Sequence, residues 1–296
     1  MSNTLRYNNT IPGNIYYGGA AVQNVYYNNT KVWSASRPFS FTYTGAYETE
    51  GNLEGNFVIR FKTSGTLTIT SHGNNTSGSY DLFAVGGGGG GGWYSDPSGV
   101  LPFGGGGGGY TKTSLGVALS VGSYQITIGA GGGQNADGQT TSFGSQLSVS
   151  GGTAAKEYWS SSDIPYSGGD GGSGGGPNNG NGGSDGSNGT KFYESIVGVI
   201  GHGQGTTTRE FGESTGKLYA GGGGGAADDS RYPYYFGGAG GGGNGARRYT
   251  GTTEVVTAIA GTPNTGGGGG GGLNWPDADY YGASGGSGIV CIRNHR

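Results

Sequence analysis

Three serines sit in Gly-x-Ser-x-Gly contexts: Ser173, Ser184 and Ser284. That spacing can raise a serine nucleophile on a sharp strand-to-helix turn. None of the three lies between a strand pattern and a helix pattern. With 76 glycines in 296 residues, such matches follow from composition. Gly-x-Gly-x-x-Gly matches are discounted for the same reason, because no βαβ pattern surrounds them. A phosphate-binding loop needs lysine after its last glycine, and Gly109 is followed by Tyr110 and Thr111. The histidines, His72, His202 and His295, are scattered and share no zinc-ligand spacing with Cys291. His202 lies in Gly201-His-Gly-Gln-Gly205 and reads as part of a tight turn. Asp170 and Asp185 lack the nine-residue period of calcium-binding repeats. Asp228-Asp229 and Asp277-x-Asp279 could furnish a glycosidase pair but read as solvated loops. The chain is therefore expected to be no enzyme and to use no metal or cofactor.

Aromatic loops offer a different chemistry. They are Trp93-Tyr94, Tyr158-Trp159, the stretch Tyr232-Pro-Tyr234-Tyr235-Phe236, Arg247-Arg248-Tyr249 and Trp275 through Tyr280-Tyr281. Rigid rings beside short polar groups suit recognition, including recognition of sugar rings. These are the candidate binding residues. The competing reading is that the rings cover glycine-rich backbone and supply the apolar cover it lacks.

Something must position these loops. Net charge is −3 and only 11% of residues are charged, so no strong field attracts nucleic acid or an anionic membrane. No apolar stretch is long enough to cross a bilayer, and Met1–Ala20 does not read as a secretory signal. Residues 1–36 read as a small β-rich unit with two related phrases, Leu5-Arg-Tyr-Asn-Asn-Thr10 and Val25-Tyr-Tyr-Asn-Asn-Thr30. Each Asn-Asn pair predicts a hairpin turn. The unit is too small to hold a core and is expected to dock on a partner, with Tyr26, Tyr27 and Trp33 as attachment candidates.

Residues 37–296 form the second unit. From Pro38 to Val85 apolar residues alternate, as in Phe39, Phe41, Tyr43 and in Phe57, Ile59, Phe61, which predicts half-buried antiparallel strands. Strand candidates then alternate with glycine runs. The candidates are Tyr110–Leu119, Tyr124–Ile128, Thr141–Val149, Ile196–Ile200, Lys217–Ala220 and Ile289–Ile292. The runs include Gly86–Gly92, Gly104–Gly109, Gly221–Gly225 and Gly266–Gly272. No helical periodicity appears, and the fold class is all-β.

Continuous glycine without a Gly-X-Y period excludes collagen, and the flanking strands and aromatics argue against linker. Fixing a seven-residue run costs on the order of 10 kcal/mol of backbone entropy. An ordered run must therefore bond its amides outward. Threefold polyglycine II helices do so when packed side by side, because only glycine lets the backbones approach.

Several phrases resemble the glycine-rich domain of bacteriophage tail and receptor-binding proteins. They include Tyr80-Asp-Leu-Phe-Ala-Val-Gly-Gly-Gly88, Ser123-Tyr-Gln-Ile-Thr-Ile-Gly-Ala-Gly-Gly132, Gly205-Thr-Thr-Thr-Arg-Glu-Phe-Gly212 and Gly285-Gly-Ser-Gly-Ile-Val-Cys-Ile-Arg293. A related domain occurs in the extracellular part of certain animal receptor tyrosine kinases. The resemblance covers about residues 38–296 and implies a jelly-roll-like β-sandwich carrying a polyglycine-helix bundle. It matches no phrase between Ala155 and Gly189. The amino-terminal unit resembles modules that open phage virion proteins. The resemblance implies a virion tail protein, assembled in a bacterial cytoplasm. It would bind other tail proteins and a host-surface glycan or protein receptor, and would assemble as a homotrimer. The alternatives are a purely structural baseplate, tail-tip or capsid-decorating protein and, less favoured, a glycan depolymerase.

Overall fold

The computed structural model describes residues 15–17, 20–27, 29–35, 37–95, 101–155, 167–191, 198–228, 235–249, 254–275 and 278–294. Two hairpins come first: β1 (Ile15–Tyr17) with β2 (Ala20–Val22), and β3 (Asn24–Tyr27) with β4 (Thr30–Ser34). Tyr27 faces Thr30 across the predicted turn, where Asn29 takes φ 61°. The other Asn-Asn phrase, at residues 5–10, lies outside the described residues.

Along the chain follow β5 (Ser40–Tyr43), β6 (Tyr47–Gly51), β7 (Phe57–Phe61), β8 (Gly65–Ser71), β9 (Ser79–Val85), β10 (Leu101–Pro102), β11 (Thr111–Ala118), β12 (Gly122–Thr127), β13 (Thr141–Phe143) and β14 (Leu147–Val149). Shorter strands come next: β15 (Gly180–Asn181), β16 (Thr190–Lys191), β17 (Arg247–Arg248), β18 (Val255–Val256), β19 (Leu273–Trp275) and β20 (Ala278–Tyr280). The closing strand is β21 (Ile289–Asn294). Among the described residues the only helical turn is a short 3-10 segment at Glu210–Gly212.

Two five-stranded antiparallel sheets form a sandwich, in the orders β11-β9-β21-β7-β6 and β14-β13-β12-β8-β5. Alternation decides which side chains fill it. Phe57, Ile59 and Phe61 of β7 and Leu67 and Ile69 of β8 point into one core with Leu82, Ile126, Phe143 and Ile292. Each fully buried side chain of this size contributes roughly 1.5–3 kcal/mol. β9 is buried on both faces. Its Tyr80, Leu82 and Ala84 join that core, while Phe83 and Val85 pack outward against Phe211, Tyr219 and Cys291. The segment around residues 205–220 thus covers the outer face of the first sheet.

The predicted strand Thr141–Val149 is two strands, because Gly144 at φ 48° turns the chain between β13 and β14. Lys217–Ala220 makes a single bridge, Arg209 to Leu218, rather than a strand. Residues 198–200, the described part of Ile196–Ile200, are not in a strand.

The runs 86–92, 104–109, 221–225 and 266–272 are ordered and buried throughout. Their hydrogen bonds repeat every three residues, as threefold helices require. Gly86, Gly89 and Gly92 donate to Tyr110, Gly107 and Gly104; Gly87 and Gly90 to Gln139 and Ala136; Gly88 and Gly91 to Gly286 and Ala283. In return Gly87 and Gly90 accept from Gly152 and Ala155, Gly88 and Gly91 from Gly132 and Asn135, and Gly89 and Gly92 from Gly269 and Gly272. This run is therefore enclosed by glycine-rich neighbours on all sides. The runs 104–109, 221–225 and 266–272 are enclosed in the same manner and bond to one another, as in Gly106 to Gly269, Gly223 to Gly106 and Gly271 to Gly224. Each such bond nets about 1 kcal/mol, so the lattice recovers a large part of the ordering cost of the glycines, and burial in the sandwich core supplies the rest.

Register also gives the molecule a direction. β9 feeds 86–92 outward and 104–109 returns to β11, so Gly92 and Gly104, joined by a hydrogen bond, mark the end away from the sandwich. A run of this length spans roughly 20 Å. At the opposite end, the base, the Arg37 N–H donates to Asn74 Oδ1 in the β8–β9 turn, and Asn294 Nδ2 donates to the Gly55 carbonyl. The amino-terminal hairpins enter there, where Ala35 and the Arg37 side chain bond to Gln23.

Candidate functional site

The described aromatic candidates leave the lattice at its outer end. Trp93 and Tyr94 directly follow Gly92. Tyr281 precedes Gly282, and the neighbouring Gly272 donates to the Gly92 carbonyl. The Trp93 and Tyr281 ring centres stand 4.5 Å apart with planes at 53°. Asn135, carried there by the run 131–133, bonds both backbone polar groups of Trp93. Tyr94 and Tyr281 are exposed, at 42% and 58%.

A second cluster forms beside it. Tyr235 lies on the returning segment next to Gly224, and Gly245 donates to its carbonyl. The Arg247 guanidinium lies 4.9 Å from the Tyr235 ring centre and 4.8 Å from that of Tyr249, and it donates to the Tyr235 hydroxyl at 3.3 Å. Phe236 stacks on Tyr235 at 4.5 Å and is half exposed. Arg248 Nε donates to the Asp228 carbonyl at 3.2 Å. Arg247 is thus held as a flat cation between two rings.

Both readings of the aromatic loops find examples. Tyr280 packs against Leu273, Ala226 and Ala246, so it covers the end of the lattice. Tyr281, its chain neighbour, stands out in solvent. Tyr158, Trp159, Tyr232 and Tyr234 lie outside the described residues, as does the side chain of Trp275. Of the attachment candidates, Tyr26 and Tyr27 are exposed at 61% and 66%, and Trp33 lies in β4 with its side chain outside the description. Sequence reading missed Asn135. Asn135 carries the one signal that could have found it: an asparagine ending a glycine run takes the left-handed turn, here φ 57°.

The motif residues take structural places. Ser173 is fully buried in the lattice, its Oγ accepting from Gly186. Ser184 Oγ accepts from Ala239. Asp170 Oδ1 accepts from the His202 backbone at 2.7 Å, with the His202 ring 3.2 Å away. Asp185 fixes Thr207, Thr208 and Arg209, and these bonds, Thr207 first, hold its carboxyl below the usual range.

The charged groups cluster on the covered face of the first sheet. Arg60 grips Glu210 through two bonds of 2.6 and 2.7 Å and also reaches Glu50. Burial alone would raise the Glu210 carboxyl, but the hydrogen bonds and charge of Arg60 outweigh it and the net shift is downward. Burial pushes the Cys291 thiol well up, and the Glu210 carboxylate adds to that. Arg293 bridges Asp81 and Glu213 and lies over the Phe211 ring. The adjoining cavity, about 440 Å³, is lined by these mutually paired charges. A cavity of about 360 Å³ at the base is lined by Asn74, Asn75 and Asn294, whose amides bond within the chain. Both cavities are lined largely by groups bonded within the chain, whereas the outer end presents exposed rings.

Residues 62–295 match a family model described as a glycine-rich domain. The chain belongs to this glycine-rich domain family. The match begins just after β7, runs through the end of β21 and takes in every glycine run. The glycine-rich domain borrows β5, β6 and β7 from outside the match: β5 pairs with β8, β7 with β21 and β6 with β7, which completes both sheets. A search among curated proteins found no match.

Proposed function

We propose that this chain is a bacteriophage virion tail protein, of tail-fibre or tail-tip type, that binds the host cell surface through the aromatic residues at the outer end of its glycine lattice. One observation carries the reading. The described aromatic loops leave one end of a rigid bundle, and the amino-terminal hairpins join at the other. A protein that only filled space in a particle would need no exposed rings at its far end. The exposed tyrosines of the hairpins fit attachment to other tail proteins. The assembly proposed is a homotrimer, as closed rotational symmetry suits such an appendage; the mass of the soluble protein measures it, and a monomer at micromolar concentration overturns it.

The function is tested by incubating labelled full-length protein with a panel of bacterial strains. Saturable binding to some strains, lost in a Tyr94→Ala/Tyr281→Ala/Phe236→Ala variant of unchanged melting temperature, is the expected result. Unaltered binding by that variant, or binding to no strain, contradicts it. Shortened polysaccharide after incubation would instead indicate a depolymerase.

A further inference from the structure

Resting on that surface-binding reading, we infer that the corner between Trp93 and Tyr281 takes a neutral sugar ring, so that the receptor is a carbohydrate rather than a protein. The corner is built for a small, flat, amphipathic ligand. Two rings meet at 53° with centres 4.5 Å apart and leave Tyr281 largely in solvent. The carbon–hydrogen face of a pyranose can stack on such a ring, as other rigid amphipathic surfaces do.

A second observation points to a hydroxyl-bearing partner. The Trp93 Nε1–H is buried and has no hydrogen-bond partner. A buried donor left unpaired is costly, and an incoming oxygen acceptor recovers that cost. The Tyr281 ring packed against Trp93 is largely exposed, so a ligand is expected to reach the donor from that side. The Trp93 backbone cannot yield instead, because Asn135 holds its N–H at 2.9 Å and its carbonyl at 2.7 Å.

Charge selects within the class. The segments framing the corner, 91–95, 133–136 and 280–285, contain no charged residue. Nothing there favours a phosphorylated or acidic sugar.

The test uses the full-length protein and strains it binds. Cells are treated either with mild periodate, which cleaves sugar diols, or with protease. Neutral polysaccharide released from the same strain is titrated against tryptophan emission. Expected are loss of binding after periodate, survival after protease, and quenching that disappears in Trp93→Phe. Tyr281→Ala and Trp93→Phe should each weaken binding at least tenfold, about 1.4 kcal/mol. Their melting temperatures should stay unchanged. Binding that survives periodate and is lost to protease overturns the inference and leaves the surface-binding reading standing. Periodate-sensitive binding unaffected by either variant also overturns it, because the sugar then sits elsewhere. Binding to no strain removes both.

Discussion

Asn135 clasps the backbone of Trp93: its Oδ1 accepts the Trp93 N–H at 2.9 Å, and its Nδ2 donates to the Trp93 carbonyl at 2.7 Å. The two residues are 42 positions apart and meet because their glycine runs lie side by side, with the Asn135 N–H itself bonded to Gly91. The lattice thereby sets the orientation of an aromatic residue at its outer end. Such pre-ordering reduces the entropy that binding must overcome.

Asn135→Ala removes both bonds and places alanine at a left-handed φ of 57°. The local cost is about 1–3 kcal/mol. Hydrogen exchange at the Trp93 amide should accelerate while the amides of 87–91 keep their protection. Unchanged exchange at Trp93 would show that the clasp does not hold it.

Glu210 gives the fold an acid-sensitive contact. Its carboxyl titrates below the ordinary value near 4.5, so the stability it adds is complete above that value and fades as pH falls through the lower folded value. Breaking one partner of a buried pair costs about 3–5 kcal/mol. Glu210→Gln should lower stability at neutral pH and flatten its decline below about pH 4.5. The check is the urea midpoint measured from pH 3 to 7. Parallel curves for the two proteins contradict the assignment.

How much of this was legible beforehand depended on the kind of signal. Phe57, Ile59 and Phe61 announced their strand by alternation, and each is buried as expected. The glycine runs announced ordered threefold helices, because nothing else bonds so many bare amides away from water. β6 was not read, since Tyr47-Glu-Thr-Glu-Gly51 is an exposed edge strand with little apolar pattern. The topology of the tract from 155 to 189 was not read either, although Gly168–Gly176 reads as a broken glycine run. Its described part holds Gly168–Gly176 in the lattice and a two-residue hairpin, β15–β16, whose pairing partners are fixed by neighbouring runs. Which aromatic residue is cover and which is exposed was beyond sequence. Tyr280 and Tyr281 are identical neighbours pointing to opposite environments.

The described part of residues 1–36 lies outside both sandwich sheets, and among the described residues the buried hydrophobic core begins at Phe39. Deleting 1–36 should leave the melting temperature of the remainder unchanged and abolish its incorporation into particles. Mass analysis of purified particles checks this. Normal incorporation of the shortened chain would sink the attachment role.

The lattice is tested most directly by thermal unfolding of single glycine-to-alanine variants. A methyl built on Gly105, Gly106, Gly107 or Gly108 falls on the backbone of Gly223, Gly89, Asp170 or Ala220, closer than real carbon atoms approach. At Gly133, by contrast, it meets nothing within 4 Å. Overpacking costs about 1–3 kcal/mol, which lowers the melting temperature of a domain this size by about 3–10 °C. Alanine at the open position restricts the unfolded chain and should be neutral or mildly stabilising. The expected result is a loss at each of Gly105 to Gly108 and none for Gly133→Ala. If all four enclosed variants melt at or above the unaltered protein, the runs are flexible linker and the lattice does not exist.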